Sequence, residues 1–399
     1  MRWILFSAVL LFPSVTFAGT LGEGMPEFRV RDGYHVSLAS AKLAEARFIE
    51  FDDKGTLYVS APRAGEIYTL RDDNKDGVYE QIGTFISDKK LVHGMHFYKG
   101  WLWFAQSQGV FKGRDTNGDG KADEVVTIIA DGELPGGKGH WWRPVFVTDD
   151  GFYTSVGDES NFTDPPDAER TKLWFYSLDG KKREQIASGV RNTEKYRFRP
   201  GTAELWGIDH NSDWFGEPIG EDKNNQAITD YNPPCELNLY VKGGFYGHPY
   251  LVGDVVPRLE FLEKPDLLEL AKKTIPPAWK FDSHAAPNGF TFIESTAHFP
   301  KDHTGDLFAA SHGSWNRTTK VGYSIDRILF DDQSGKPYGS LRIVSTLPSD
   351  NEARDDKSGI MGRPVDCAVA PDGTILFSCD WTNQLYRISY AGGDTEIGQ

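Results

Sequence analysis

The 399-residue chain is poor in sulfur: 3 cysteines and 4 methionines. Three cysteines cannot build a disulfide framework, and no Cys-x-x-Cys-His run offers attachment for a covalent haem. Basic residues are outnumbered, 43 Lys and Arg against 58 Asp and Glu, for a formal charge of −15. Nucleic acid requires a basic surface, so no nucleic-acid partner is expected. Long apolar runs are missing after the N-terminus, and Trp3 to Phe17 falls short of the ~20 residues of a membrane span. Gly-x-Ser-x-Gly, His-Glu-x-x-His, a Walker loop and a Gly-x-Gly-x-x-Gly after a strand are all absent. That removes common hydrolase, zinc-protease and nucleotide-binding signatures.

The start of the chain is informative in its own right. Met1-Arg2, a short apolar stretch and the small-residue end at Ala18-Gly19 predict a signal peptide over residues 1–18. The mature protein is then periplasmic or secreted, without a membrane span. In an oxidising compartment Cys367 and Cys379, on either side of the turn Pro371-Asp372-Gly373, could pair across neighbouring strands.

Glycine is abundant (42 residues) and aromatics make up 13%, a composition suited to short strands and tight turns. One unit recurs: an alternating apolar stretch, a turn with Gly, and a second strand. Its turn glycines are Gly55, Gly100, Gly151, Gly201, Gly305 and Gly373, spaced by 45, 51, 50, 104 and 68 residues. Hairpins repeating every ~40–50 residues read as propeller blades. The expectation is an all-β, six-bladed β-propeller, one domain over residues 19–399. The wide gap marks an insertion in or after the fourth blade, about residues 217–279.

Two loops place oxygen ligands at alternate positions around a Gly: Asp72, Asn74, Asp76 and Glu80, then Asp115, Asn117, Asp119 and Asp123. This is the opening of a calcium loop of EF-hand type, though Gly83 and Val126 stand where the bidentate Glu of that motif would be. A metal-free Asp/Asn/Gly hairpin turn uses the same residues.

Polar residues gather at blade beginnings and hairpin ends. His140 begins the third blade and Asp158 ends its hairpin, a candidate base and its orienting carboxylate. Arg191 and Asn192 open the fourth blade, and the Asp209-His210-Asn211-Ser212 stretch closes its hairpin; a salt bridge between Arg and Asp is the plainer use of these residues. The fifth blade contributes His312, Trp315, Asn316 and Arg317, and the sixth Arg363. Three arginines converging on one end of an acidic protein imply a multiply charged anion. His96, His248 and His303 are read as structural or exposed.

Arg191-Asn192, the run Glu236-Leu-Asn238 through Gly247-His-Pro249, His312-Gly-Ser-Trp-Asn-Arg317 and Gly362-Arg-Pro-Val365 resemble the soluble pyrroloquinoline quinone (PQQ) dependent sugar dehydrogenases. The sorbosone or pyranose dehydrogenase-like branch is the nearest in pattern, and the likeness covers about residues 28–389. The resemblance implies PQQ over the central channel with Ca2+ beneath it. It implies His140 as base oriented by Asp158, Arg191 and Asn192 beside the reactive carbonyl, and calcium held by the backbone carbonyls of Asn211 and Ser212. His312, Trp315, Asn316, Arg317 and Arg363 match cofactor-binding positions, with the two arginines on the PQQ carboxylates. The implied activity is oxidation of a sugar, aldose to lactone, or of a related aldehyde or alcohol, with electrons passed to a separate cytochrome or quinone. Glu194 and Cys235 depart from the family pattern, Glu194 by adding negative charge beside the cofactor position. Two other readings use the same residues: a calcium-bearing propeller that binds carbohydrate or protein without redox chemistry, and a lactonase-like hydrolase.

Overall fold

A strand whose two faces are both covered by neighbouring sheets is buried throughout and largely apolar. That holds for Leu57–Ala61, Leu307–Ser311 and Ile375–Cys379, each buried at every position. The structure, a computed structural model, describes residues 25–294, 298–348 and 359–392. The signal peptide expected over residues 1–18 lies outside them.

Six antiparallel sheets built on four strands each follow one another along the chain, starting at Ile49, Met95, Phe146, Thr193, Pro287 and Pro364. Their first strands pack side by side around a central axis, closing a six-bladed β-propeller. The Gly-turn hairpins foreseen in the sequence are the two inner strands of the blades, as in Ile49↔Val59 and Cys367↔Phe377.

Chain closure comes from the N-terminus. Tyr34–Leu38 pairs antiparallel with Gln384–Tyr390 as the outer strand of the sixth blade. Arg29–Val30 adds to the outer edge of the fifth. The core is a ring of wedges between adjacent blades; one joins Phe48, Tyr58 and Phe85 to Met95, Phe104 and Phe111, and another joins Ile293 and Phe308 to Phe377 and Tyr386.

The fourth blade departs from this regularity. After its third strand, Pro234–Tyr240, the chain crosses to the third blade, where Gly244–Phe245 pairs in parallel with Arg183–Ser188 as a fifth strand. It then packs the helix Leu267–Lys273 against Tyr250, Leu251 and Phe261, and returns as Trp279–Ser283 to complete its own blade. No helix among the described residues is long and apolar enough to cross a membrane.

All three cysteines are free and buried. The pairing of Cys367 with Cys379 fails on register: Cys367 lies opposite Phe377, and Cys379 opposite Pro364.

Candidate functional site

Because every first strand starts at the same end of the axis, the residues before it and those ending the second strand form one channel mouth. Arg47, His93, His140, Arg191 and Arg363 arrive by the first route, with Asn288 at the start of the fifth blade's first strand; Asp158, His210, His312 and Asp380 arrive by the second. The mouth is therefore polar even though the blades below it are not.

His140 Nδ1 lies 2.7 Å from the backbone carbonyl of Asp158. A carbonyl only accepts, so Nδ1 carries the proton and Nε2 keeps the lone pair. Burial, with the Arg191 charge adding to it, lowers the pKa of His140 to about 3, leaving the ring neutral. The Asp158 carboxylate does not orient His140 as the sequence suggested. It turns away to accept from His248 Nε2 at 2.8 Å, Thr163 Oγ1 at 2.6 Å, and the amides of Thr163 and Ser160 at 3.0 Å. His248, read from the sequence as structural or exposed, is buried behind the base.

Arg191 is buried and fully engaged. Nε donates to the Asn161 carbonyl (2.8 Å), Nη2 to Asn161 Oδ1 (3.1 Å), and Nη1 to the carbonyls of Asn211 (2.8 Å) and His210 (3.2 Å). Asp209 anchors this turn by accepting from the amides of Arg191 and Asn192. The expected calcium seat is thus occupied by a guanidinium: Asn211 spends its carbonyl on Arg191, its Nδ2 binds Glu236 at 2.8 Å, and the Ser212 hydroxyl bonds Arg258. A divalent cation on the Asn211 carbonyl would share that ligand with the Arg191 guanidinium and face its positive charge, so this carbonyl does not fit a metal.

Below Asn192 sits Glu194, buried, with His93 Nε2 at 3.4 Å, His210 Nδ1 at 3.7 Å and Arg47 Nη2 at 3.9 Å. These neighbours outweigh its burial and hold its pKa at about 2. Asp380 gathers Arg47 (2.7 Å), Arg363 (2.7 Å) and His312 (3.0 Å). Arg363 is therefore already paired, and the anion inferred from converging arginines is supplied in part by the protein itself. Arg317 stacks over the Tyr231 ring at 5.0 Å. Asn316 donates to Asp213 at 2.6 Å, and Trp315 stands edge-on to Trp214.

Several buried polar atoms at this mouth have no hydrogen-bond partner in the protein: Arg47 Nε, His93 Nδ1, Asn192 Oδ1, Asn316 Oδ1 and Arg317 Nε. Buried polar atoms are normally satisfied, so such a cluster fits a polar ligand with both donors and acceptors. PQQ, a planar polycarboxylate with carbonyls, meets that description. Around the mouth, Tyr231, Trp315 and Trp381 are 68%, 58% and 44% exposed, an aromatic rim of the kind that stacks on sugar rings or a quinone.

Arg47 and His93 were not singled out in the sequence. The signal was their position just ahead of a first strand, matching that of Arg191 and Arg363.

The two Asp/Asn loops join third to fourth strands, at the end of the blades away from the mouth. In the first, carboxylate oxygens of Asp72, Asp76 and Glu80 lie within 4.8 Å of one another, and Asn74 bonds to Glu80; this set fits a hard cation. In the second, Asp115 accepts from the amides of Asn117, Gly118 and Gly120, Asp119 from that of Lys121, and Asp123 from Thr116 and Asn117. Both loops are hydrogen-bonded as turns, Asp72 likewise accepting from the amides of Asp76 and Gly77; they differ in that only the first brings three carboxylates together.

Among solved structures, the chain is similar to a carbohydrate-active enzyme of family AA12 from Trichoderma reesei, with 20% identity, 92% of this chain and 98% of that one covered, and a TM-score of 0.77. It is similar to the PQQ domain of pyranose dehydrogenase from Coprinopsis cinerea in its holo form (17%, 91% and 97%, 0.74). It is also similar to the soluble aldose sugar dehydrogenase of Escherichia coli (16%, 90% and 99%, 0.64). These likenesses bear out, as a fold, the resemblance read from the sequence. An uncharacterized protein of Borreliella burgdorferi is 32% identical over 236 residues, 59% of this chain and 56% of that protein, so the match spans little more than half of that relative. A TrAA12-like family model matches residues 269–391. A second model, a domain of unknown function (DUF7133), matches residues 20–232, more than half of the chain, and the protein belongs to that family.

Proposed function

We propose that the protein is a quinoprotein dehydrogenase that oxidises a sugar or a related aldehyde or alcohol, with PQQ at the channel mouth and a separate electron acceptor. One observation carries this reading. A neutral histidine, whose Nδ1–H is bound to a backbone carbonyl so that Nε2 keeps its lone pair, stands among buried polar atoms that the protein leaves unsatisfied.

The chemistry PQQ supplies when bound is acceptance of a hydride from the substrate carbon. His140 Nε2 takes the proton of the substrate hydroxyl. Arg191, fixed by four hydrogen bonds, presents positive charge that needs no reorganisation as negative charge develops nearby. Asn192 Oδ1, Arg47 Nε and Arg317 Nε are the groups free to hold the cofactor's polar edge, and Trp315 and Trp381 flank the substrate. No step is assigned to a cation at Asn211. Calcium belongs to the first Asp/Asn loop, where it would clip a hairpin.

The test is reconstitution with PQQ, followed by absorbance and sugar-dependent dye reduction over a panel of aldoses and aldehydes. A bound-quinone spectrum with turnover, abolished in His140→Ala while the spectrum persists, is expected. Absence of both binding and turnover overturns the proposal. The exposed rim of Tyr231, Trp315 and Trp381 favours carbohydrate binding without redox chemistry as the second reading; sugar binding with no quinone binding would select it.

A further inference from the structure

We propose that His248 is a positioning residue: through the Asp158 carboxylate it fixes the backbone carbonyl that sets the tautomer of His140. The proposal rests on the reading of His140 as the base. Its starting point is the detour of the fourth blade, which has no counterpart in the other five among the described residues.

The carbonyl and the carboxylate belong to one residue, so whatever holds the side chain holds the peptide that faces His140. The carboxylate accepts from Thr163 twice and from Ser160, both in its own loop. Among the described residues, its one partner from elsewhere in the chain is His248 Nε2, at 2.8 Å. The loop 158–163 is also tied to the channel through its Asn161, which accepts from Arg191, and through the Asp158 amide, which donates to the Arg191 carbonyl; the His248 bond is the one that holds the Asp158 side chain from outside the loop.

His248 is itself held by a dedicated structure. The parallel pairing of Ala187 with Gly244 and Ser188 with Phe245 brings the detour onto the third blade. The Tyr246 amide donates to the Ser188 carbonyl (2.9 Å), and the His248 amide to the Gly189 carbonyl (3.0 Å). Gly189, at φ 73°, makes the turn that lets Phe245 and Gly247 approach; a Cβ there would stand 2.7 Å from the Phe245 ring. The imidazole is buried, with Nδ1 unpartnered. An apolar ring would fill this space without leaving a buried nitrogen unsatisfied, so packing alone does not account for a histidine here. The Nε2 bond to Asp158 does.

The experiment uses the full chain without cofactor. 15N NMR of the His140 ring reads its tautomer in the wild type, in His248→Phe, which fills the space but cannot donate, and in His248→Gln, which keeps a donor. The wild type should hold the Nδ1–H form. His248→Phe should move the ratio toward Nε2–H by about threefold or more, and His248→Gln should restore it. In the reconstituted enzyme, kcat of His248→Phe should fall about 10- to 100-fold with KM little changed, the range found when an orienting hydrogen bond is removed. An unchanged His140 tautomer in folded His248→Phe overturns the proposal. If that variant does not fold, Asp158→Ala, which removes the acceptor while keeping the backbone carbonyl, is read in its place with the same criterion. Because the tautomer is measured without cofactor or substrate, it decides the role of His248 even where no sugar is oxidised, and loss of the dehydrogenase reading is seen separately.

Discussion

His140 carries the chemistry only while its ring is neutral, and its surroundings make that the default. Its pKa, lowered by burial to about 3 from the ordinary 6.5, means that turnover shows no inflection near pH 6.5 from this group. The acid limb lies at about 3, with activity lost as pH falls through it. The same shift links to stability. Below pH 6.5 the unfolded imidazole takes a proton that the folded one refuses, so stability falls as pH falls from 6.5 toward 3. In His140→Ala that decline should be shallower by at most about 1.4 kcal/mol per pH unit, measured by urea unfolding at several pH values. An equal slope in the two proteins would show that the ring titrates normally. The base also depends on a glycine: a Cβ on Gly157 would stand 2.6 Å from His140 Cβ, 2.7 Å from Asn192 Oδ1 and 2.8 Å from the Arg191 carbonyl. Gly157→Ala should therefore lower kcat by ten-fold or more, as misplacement by about 1 Å does, and unchanged turnover would mean that the loop moves freely. Residue types were legible in the sequence here; their directions were not. Asp158 was found as the partner of His140, yet the contact is made by its carbonyl, because the carboxylate is claimed by a residue 90 positions away.

At the scale of the element, hairpins were read well because alternation around a Gly turn is local. The fourth blade's detour was visible only as a long gap, since parallel pairing of Gly244–Phe245 with a strand of another blade leaves no periodic trace. The calcium loops show the same limit. Asp72-x-Asn74-x-Asp76-Gly and Asp115-x-Asn117-x-Asp119-Gly are alike as strings, but only the first gathers three carboxylates about one point. In the second, Asp123 is drawn to the amide and hydroxyl of Thr116. The expected outcome is that calcium raises the melting temperature of the wild type and of Asp115→Ala, but not of Asp72→Ala. A shift lost in Asp115→Ala and kept in Asp72→Ala would reverse the assignment. The loops touch through Arg71 to the Gly118 carbonyl and Thr69 to the Gly120 carbonyl, so chelation should loosen the first and second blades before the others, as read by hydrogen exchange.

The whole molecule is a ring, and a ring depends on its closure. Composition and repeat spacing gave six blades, but not which terminus completes the last one; that follows from pairing between residues 348 to 356 positions apart. Tyr34 pairs with Tyr390 and Leu38 with Tyr386, leaving the edge of Gln384–Tyr390 covered instead of open to another chain. Tyr34 is the pivot of this closure. It is buried, its hydroxyl lies 2.6 Å from His303 Nε2 on the fifth blade, and its ring stands edge-on to Tyr390. One side chain thus ties the closing strand to two blades. Tyr34→Ala removes the ring and leaves His303 without that partner, at a cost of about 3–5 kcal/mol; Tyr34→Phe loses only the hydrogen bond, about 1 kcal/mol. Removal of residues 1–38 goes further and exposes the full edge, so the truncated chain should associate on size-exclusion chromatography and lose its single cooperative melt. A truncated chain that stays monomeric and melts as the wild type does would show that five blades and the three remaining strands of the sixth hold the ring without closure. The channel mouth would then owe its geometry to the inner strands alone.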